Sequence, residues 1–175
     1  MPLPRAPDRL SDDMAAAIGH AVSGFGFLEE ALKRAIFSLT RKDMGEDAPD
    51  HELERWLKRM EAIADDTMGT LIDAFTAELR AAEIADGERL APELAEIRTL
   101  RNLLCHASWR PGGAPGLWHP TFINTRGERY PDDMGVEDIR AVHERTLKTA
   151  RRVVSIMRQT GIEGEWAGDP DDDDD

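Results

Sequence analysis

Apolar residues recur at spacings of three and four along most of the chain, which is the period of an amphipathic α-helix. The first of these runs begins at Ser11, which can cap a helix, and is followed by two acidic residues. The second run is expected to break near residues 66–69, where glycine and polar residues interrupt the pattern. The runs cover residues 11–40, 50–85, 86–106 and 136–159.

The same spacing predicts which side chains form the core. Glycines in the first run, at positions 19, 24 and 26, weaken that helix locally but let another helix approach closely. The core stripe of the first run is Met14, Ile18, Val22, Phe25, Leu28, Leu32, Ile36 and Leu39. The second run contributes Leu53, Trp56, Leu57, Met60, Ile63, Leu71, Ile72, Phe75 and Leu79. The last run contributes Ile139, Val142, Leu147, Val153, Val154 and Met157.

The helical pattern stops at residues 110–116, where the sequence RPGGAPG cannot form a helix. Two short β-prone runs then flank residues 124–127 and predict a small hairpin, with Pro120 confining its first strand to an edge. The expected fold is therefore an all-α helical bundle of four to five helices with a small β-hairpin insertion before the last helix. We expect an N-terminal extension over residues 1–10, a single domain over 11–162 and an acidic disordered tail over 163–175.

Composition and charge narrow the class of protein. The chain has 175 residues, enough for one domain with its own core, and a single cysteine, so an intrachain disulfide is excluded. No export signal or membrane span is apparent, and a cytoplasmic protein is expected. The formal charge is −13, but eight acidic residues lie in the last thirteen positions and leave −5 for the rest. Residues 126–158 hold eight basic and six acidic side chains, which suits either an ordinary solvated helix or a contact with RNA.

Most common enzyme sites have no signature in this sequence. None of the five histidines stands in a Glu-x-x-His or His-Glu-x-x-His relation, and a metal is not expected. Neither a phosphate-binding glycine loop of the Walker type nor a Gly-x-Ser-x-Gly elbow occurs, and no cofactor is expected.

The third run contains an arginine within its apolar stripe. Arg101 falls among leucine and isoleucine positions, where an unpaired guanidinium would cost several kcal/mol. Asn102 and His106 are four residues apart, so they share a helix face and the amide can orient the imidazole. Arg101 and His106 are about 140° apart around the helix axis, and they converge only if the helix ends or distorts near His106. The remaining stripe is Leu90, Leu94, Ile97, Leu104 and Cys105, which Leu100 and Leu103 widen until little of the helix should face water.

The segment RNLLCH, from Arg101 to His106, resembles the signature of HEPN domains: an arginine, often an asparagine, and a histidine four to six residues after the arginine. The stretches FGFLEEAL and HASW are also similar to small bacterial HEPN proteins, and the resemblance covers roughly residues 11–160. It implies a metal-independent endoribonuclease that acts as a homodimer, in a toxin–antitoxin or phage-defence setting with an antitoxin partner. Other HEPN proteins are non-catalytic RNA- or protein-binding modules, which is the alternative function.

The chemistry of RNA cleavage suits these residue types. Without a metal, the 2′-hydroxyl attacks its own phosphate, which requires a proton-transfer group and a cation. Histidine side chains in general change charge near neutral pH, so His106 would move the proton. Arg101 would stabilise the phosphorane, and Asn102 would orient the site. Glu29 lies on the apolar stripe of the first run and is either a partner of Arg101 and member of the site, or an edge residue in contact with solvent. A second alternative is a structural or adaptor protein in which Arg101 is paired within the core.

Overall fold

The computed structural model describes residues 9–45, 48–84, 86–122 and 129–159. It confirms an all-α bundle with a small antiparallel hairpin before the last helix. None of the described helices is long and apolar enough to cross a bilayer. The elements are α1 (Asp12–Asp43), α2 (Asp50–Ala64), α3 (Met68–Ala81), α4 (Asp86–His106), β1 (Ser108–Pro111), β2 (Trp118–Thr121) and α5 (Val136–Gln159).

The described residues divide into two compact units. The first combines residues 9–26 with Glu96–Thr146, and the second combines Phe27–Ala95 with residues 147–159. The predicted single domain stays a prediction, and the predicted acidic tail lies outside the described residues.

In the first unit, the buried face of α1 is centred one position away from the predicted stripe. Val22 is 42% exposed and Ile18 is half-buried, so their assignment to the core was wrong or only partly right. Ala17 and Ala21, which are 4% and 0% exposed, occupy the buried positions instead. The other buried apolar residues of this unit are Met14, Phe25, Ile97, Leu103, Leu104, Trp109, Met134, Ile139 and Val142.

In the second unit, α2 is attached through fewer residues than its pattern predicts. Leu53 is 37% exposed and Leu57 is 48% exposed, so both were wrongly assigned to the core. Trp56 is buried, and its Nε1 donates to Oγ1 of Thr40 at 2.9 Å. Of the described residues of α2, only Trp56 and Ile63 are buried. The apolar residues on either side of Trp56 therefore remain on the surface.

Gly24 is the glycine of α1 at which another helix does approach closely. A Cβ at this position would lie 2.9 Å from Nδ1 of His143 on α5. At Gly19 and Gly26 a Cβ would meet nothing within 4 Å, so the expected close approach is confirmed for Gly24 alone.

Alanine substitutions at these glycines should separate helix propensity from packing. Gly19→Ala should raise the free energy of unfolding by about 0.5–1 kcal/mol, because alanine loses less backbone entropy in a helix than glycine. Gly24→Ala should lose this gain, because its Cβ would force the ring of His143 to move. Urea denaturation of both variants checks the difference, and an equal gain from both would contradict the close packing at Gly24.

The hairpin begins two residues after α4 ends. Ser108 pairs with Thr121 and Arg110 pairs with His119 across the antiparallel strands. The connecting loop is closed by the N–H of Gly112, which donates to the carbonyl of Leu117 at 2.8 Å. The turn is therefore in the glycine-rich segment before Trp118, whereas the predicted turn at residues 124–127 lies outside the described residues.

Candidate functional site

The last two turns of α4 carry the residues of the RNLLCH segment. Arg101 and Asn102 are half-buried, and Nη1 of Arg101 donates to Oδ1 of Asn102 at 3.4 Å. The guanidinium of Arg101 is thus bonded to Asn102, while part of the Arg101 side chain remains exposed to solvent. The amide of Asn102 therefore contacts the arginine, which is a different partner from the one that helix spacing indicated.

His106 is the last residue of α4 and is exposed. α4 thus ends at His106, which is the condition under which Arg101 and His106 could converge. In the part of the chain that the structure describes, no hydrogen bond joins the side chains of Asn102 and His106. The imidazole can turn toward a ligand on the solvent side of the helix end.

Two further predictions about α4 and α1 have different outcomes. Cys105 is exposed, so its assignment to the buried stripe was wrong, and α4 has a solvent-facing side at Glu96, Arg98 and Thr99. The helical period shows which residues share a face. It does not show where, along the helix, the elements that pack on that face end. Glu29 is half-buried on α1 and belongs to the second unit, so its pairing with Arg101 stays a prediction.

The hairpin contains a polar cluster that the sequence interpretation missed. Nδ1 of His119 lies 2.9 Å from Oδ1 of Asp133, and the N–H of Gly113 donates to Oδ2 of Asp133 at 2.7 Å. The Gly113 N–H and the His119 ring hold the pKa of the Asp133 carboxyl below its ordinary value, because both favour the charged form. A Cβ at Gly112 would lie 2.7 Å from Oδ2, so only glycine leaves room for this carboxylate.

Asp133 lies in the segment just before α5, where a side chain that caps the helix is common. Its carboxylate instead contacts the hairpin, and Asp138 caps α5 by accepting from the N–H of Gly135 at 2.7 Å. His119 and Asp133 are fourteen residues apart in the chain, and no helix or strand period connects such positions. The paired glycines at 112 and 113 were the only local signal.

A second polar feature of the first unit lies between the N-terminal parts of α1 and α5. A cleft of about 350 Å³ is lined by Asp13, Ala16, Ala17, His20, Arg140 and His143. The rings of His20 and His143 are 6.1 Å apart, and Nδ1 of His143 is buried without a hydrogen-bond partner among the described residues. Arg140 already pairs with Glu137 at 2.6 Å, and Asp13 adds a negative charge. The cleft therefore offers a weak set of donors for an anion.

Among the described residues, no group of three or more histidine, cysteine or acidic side chains is arranged to hold a metal ion. Comparisons with protein families, with curated proteins and with solved structures give no match to this chain. The functional assignment therefore depends on the arrangement of the side chains themselves.

Proposed function

We propose that the protein is a metal-independent endoribonuclease of the HEPN type. The observation that carries this proposal is the end of α4, where half-buried Arg101 is bonded to Asn102 and exposed His106 terminates the helix. This arrangement presents a fixed cation and a proton-transfer group on consecutive turns. Both groups are of the kind that RNA cleavage without a metal requires.

The proposed reaction is an internal transfer of the phosphoryl group. The 2′-hydroxyl loses its proton and attacks the adjacent phosphorus, the bond from phosphorus to the 5′-oxygen breaks, and that oxygen takes up a proton. The products are a 2′,3′-cyclic phosphate and a 5′-hydroxyl. Arg101 stabilises the charge that develops on the phosphorane oxygens, Asn102 orients the guanidinium, and His106 transfers a proton.

The proposed setting is a cytoplasmic toxin–antitoxin or phage-defence system, in which RNA is the substrate and an antitoxin restrains the enzyme. One motif supplies one histidine, whereas proton removal and proton donation are easier with two motifs that face each other across a twofold axis.

We accordingly expect a homodimer. Sedimentation equilibrium at micromolar protein should give about twice the 19.5 kDa of the chain. A strict monomer under these conditions, together with full RNA cleavage, would contradict the assembly of the site from two copies.

A non-catalytic protein-binding module is the second candidate, and a specific surface favours it. Phe37 is 43% exposed, and its ring lies 4.6 Å from that of Trp56 on α2, the helix that also carries the exposed Leu53 and Leu57. An apolar surface of this kind is typical of a protein contact. It lies in the second unit, whereas the RNLLCH residues lie in the first.

Incubation of the purified protein with total RNA in EDTA separates the two functions. The proposed enzyme produces fragments without any divalent cation. A binding module retains RNA or a protein partner but leaves the RNA intact, and that result would reject the catalytic proposal.

A further inference from the structure

The hairpin holds one imidazole in a defined orientation. A carboxylate can only accept a hydrogen bond, so the 2.9 Å contact with Asp133 places a proton on Nδ1 of His119. The unshared electron pair is then on Nε2, which is the form of histidine that can remove a proton. Asp133 is itself fixed by the Gly113 N–H at 2.7 Å. The tautomer and the ring position of His119 are thus both set by the fold.

The residue paired with His119 across the hairpin is an arginine. Arg110 is directly opposite His119 in the register of β1 and β2, so the two side chains point to the same face of the hairpin, with Cβ atoms about 4.5–5.5 Å apart. Both are partly exposed: Arg110 is half-buried, and the side chain of His119 is 41% exposed. The hairpin therefore carries an arginine and an oriented proton acceptor on one face.

This face is also close to the end of α4 along the chain. His106 precedes Arg110 by four residues, which limits the distance between their Cα atoms to about 13 Å. All of these residues belong to the first compact unit. The first unit therefore contains a second histidine in addition to the one that the RNLLCH segment supplies.

We propose that His119 is the general base of the cleavage reaction and that Asp133 is its positioning residue. This inference rests on the proposed ribonuclease function. Nε2 of His119 takes the proton of the 2′-hydroxyl as the bond from the 2′-oxygen to phosphorus forms. His106 gives a proton to the 5′-oxygen as its bond to phosphorus breaks, and Arg110 contacts the phosphate.

A purely structural role for Asp133 makes a different prediction. If the Asp133 carboxylate only holds the glycine loop against the hairpin, variants of Asp133 should lose stability and activity together. If Asp133 also sets the tautomer of His119, activity should fall when the carboxylate charge is removed, even if the hydrogen bond from Gly113 is kept. Asp133→Asn makes this change, because the amide oxygen can still accept from Gly113 while the amide nitrogen donates to Nδ1 and moves the ring proton to Nε2.

Cleavage of a short RNA in EDTA should be measured across pH 5–9 for Asp133→Asn, for His119→Asn and for the matched control Glu137→Gln. His119→Asn keeps a donor toward Asp133 but has no Nε2. It should lose about a hundredfold or more in kcat and lose the rise of rate with pH on the acidic side, since the base must be unprotonated to act. Asp133→Asn should lose at least about tenfold, with the melting temperature nearly unchanged. Glu137→Gln, an exposed carboxylate replaced by its amide, should behave as the wild type.

Nitrogen-15 chemical shifts of the histidine rings give a readout independent of catalysis. They should place the His119 proton on Nδ1 in the wild type and on Nε2 in Asp133→Asn. Wild-type cleavage with a normal pH profile in His119→Asn would overturn this inference and leave the ribonuclease intact. A wild type that cleaves no RNA would overturn both, whatever tautomer His119 has.

Discussion

Replacement of Arg101 by lysine should reduce RNA cleavage by about a hundredfold or more while RNA affinity stays within about tenfold. Lysine keeps the positive charge, so the long-range attraction for phosphate is retained. It lacks the planar fork of donors that can contact two phosphorane oxygens at once. Because Arg101 is only half-buried, the shorter ammonium can remain hydrated, and the fold should tolerate the change.

Arg98→Lys is the matched control for this substitution. Arg98 is exposed on the same helix, three residues before Arg101, and its replacement should leave both cleavage and stability unchanged. Single-turnover kinetics and a binding titration in EDTA separate chemistry from affinity. An Arg101→Lys protein that unfolds, or one that cleaves as fast as the wild type, would identify Arg101 as a structural residue.

Replacement of His106 by alanine should reduce cleavage about as much as Arg101→Lys does, with little effect on the melting temperature. The side chain is exposed at the end of α4, so its removal opens no cavity. The wild type should slow on the alkaline side of the pH–rate profile, because a proton donor must be protonated to act, and this fall should be absent from the variant. His51→Ala, an exposed histidine on α2, is the control and should have no effect.

The Arg101→Lys, His106→Ala double variant tests whether the two residues act as one unit. Its rate should be scarcely lower than that of either single variant, because groups that act in the same transition state are not additive. Losses that multiply would indicate that the two residues contribute independently, and the proposed site would then be wrong.

The helices were predictable because each is defined by local signals. The break expected near residues 66–69 lies between the end of α2 at Ala64 and the start of α3 at Met68, and α4 ends at His106 as proposed. Caps, glycines and apolar period all act within a few residues along the chain. A sequence alone therefore indicates where such elements begin and end.

Burial was less predictable, because it depends on elements that are distant in the sequence. Leu57 fits a helical stripe as well as Trp56 does, yet it is 48% exposed while Trp56 is buried and bonded to Thr40. The contact between His119 and Asp133 is of the same kind, since it forms only when the hairpin folds against the residues before α5. Arg101 and His106 could be named from the sequence, but the partner of Asn102 could not.

The chemical ends of the RNA fragments test the central claim most directly. A defined RNA oligonucleotide should be incubated with the wild-type protein in EDTA, and the products analysed by mass spectrometry. We expect fragments that end in a 2′,3′-cyclic phosphate and begin with a 5′-hydroxyl, and we expect Arg101→Lys to form them about a hundredfold more slowly. Intact RNA, cleavage that requires an added divalent cation, or fragments with 5′-phosphate ends would contradict the account.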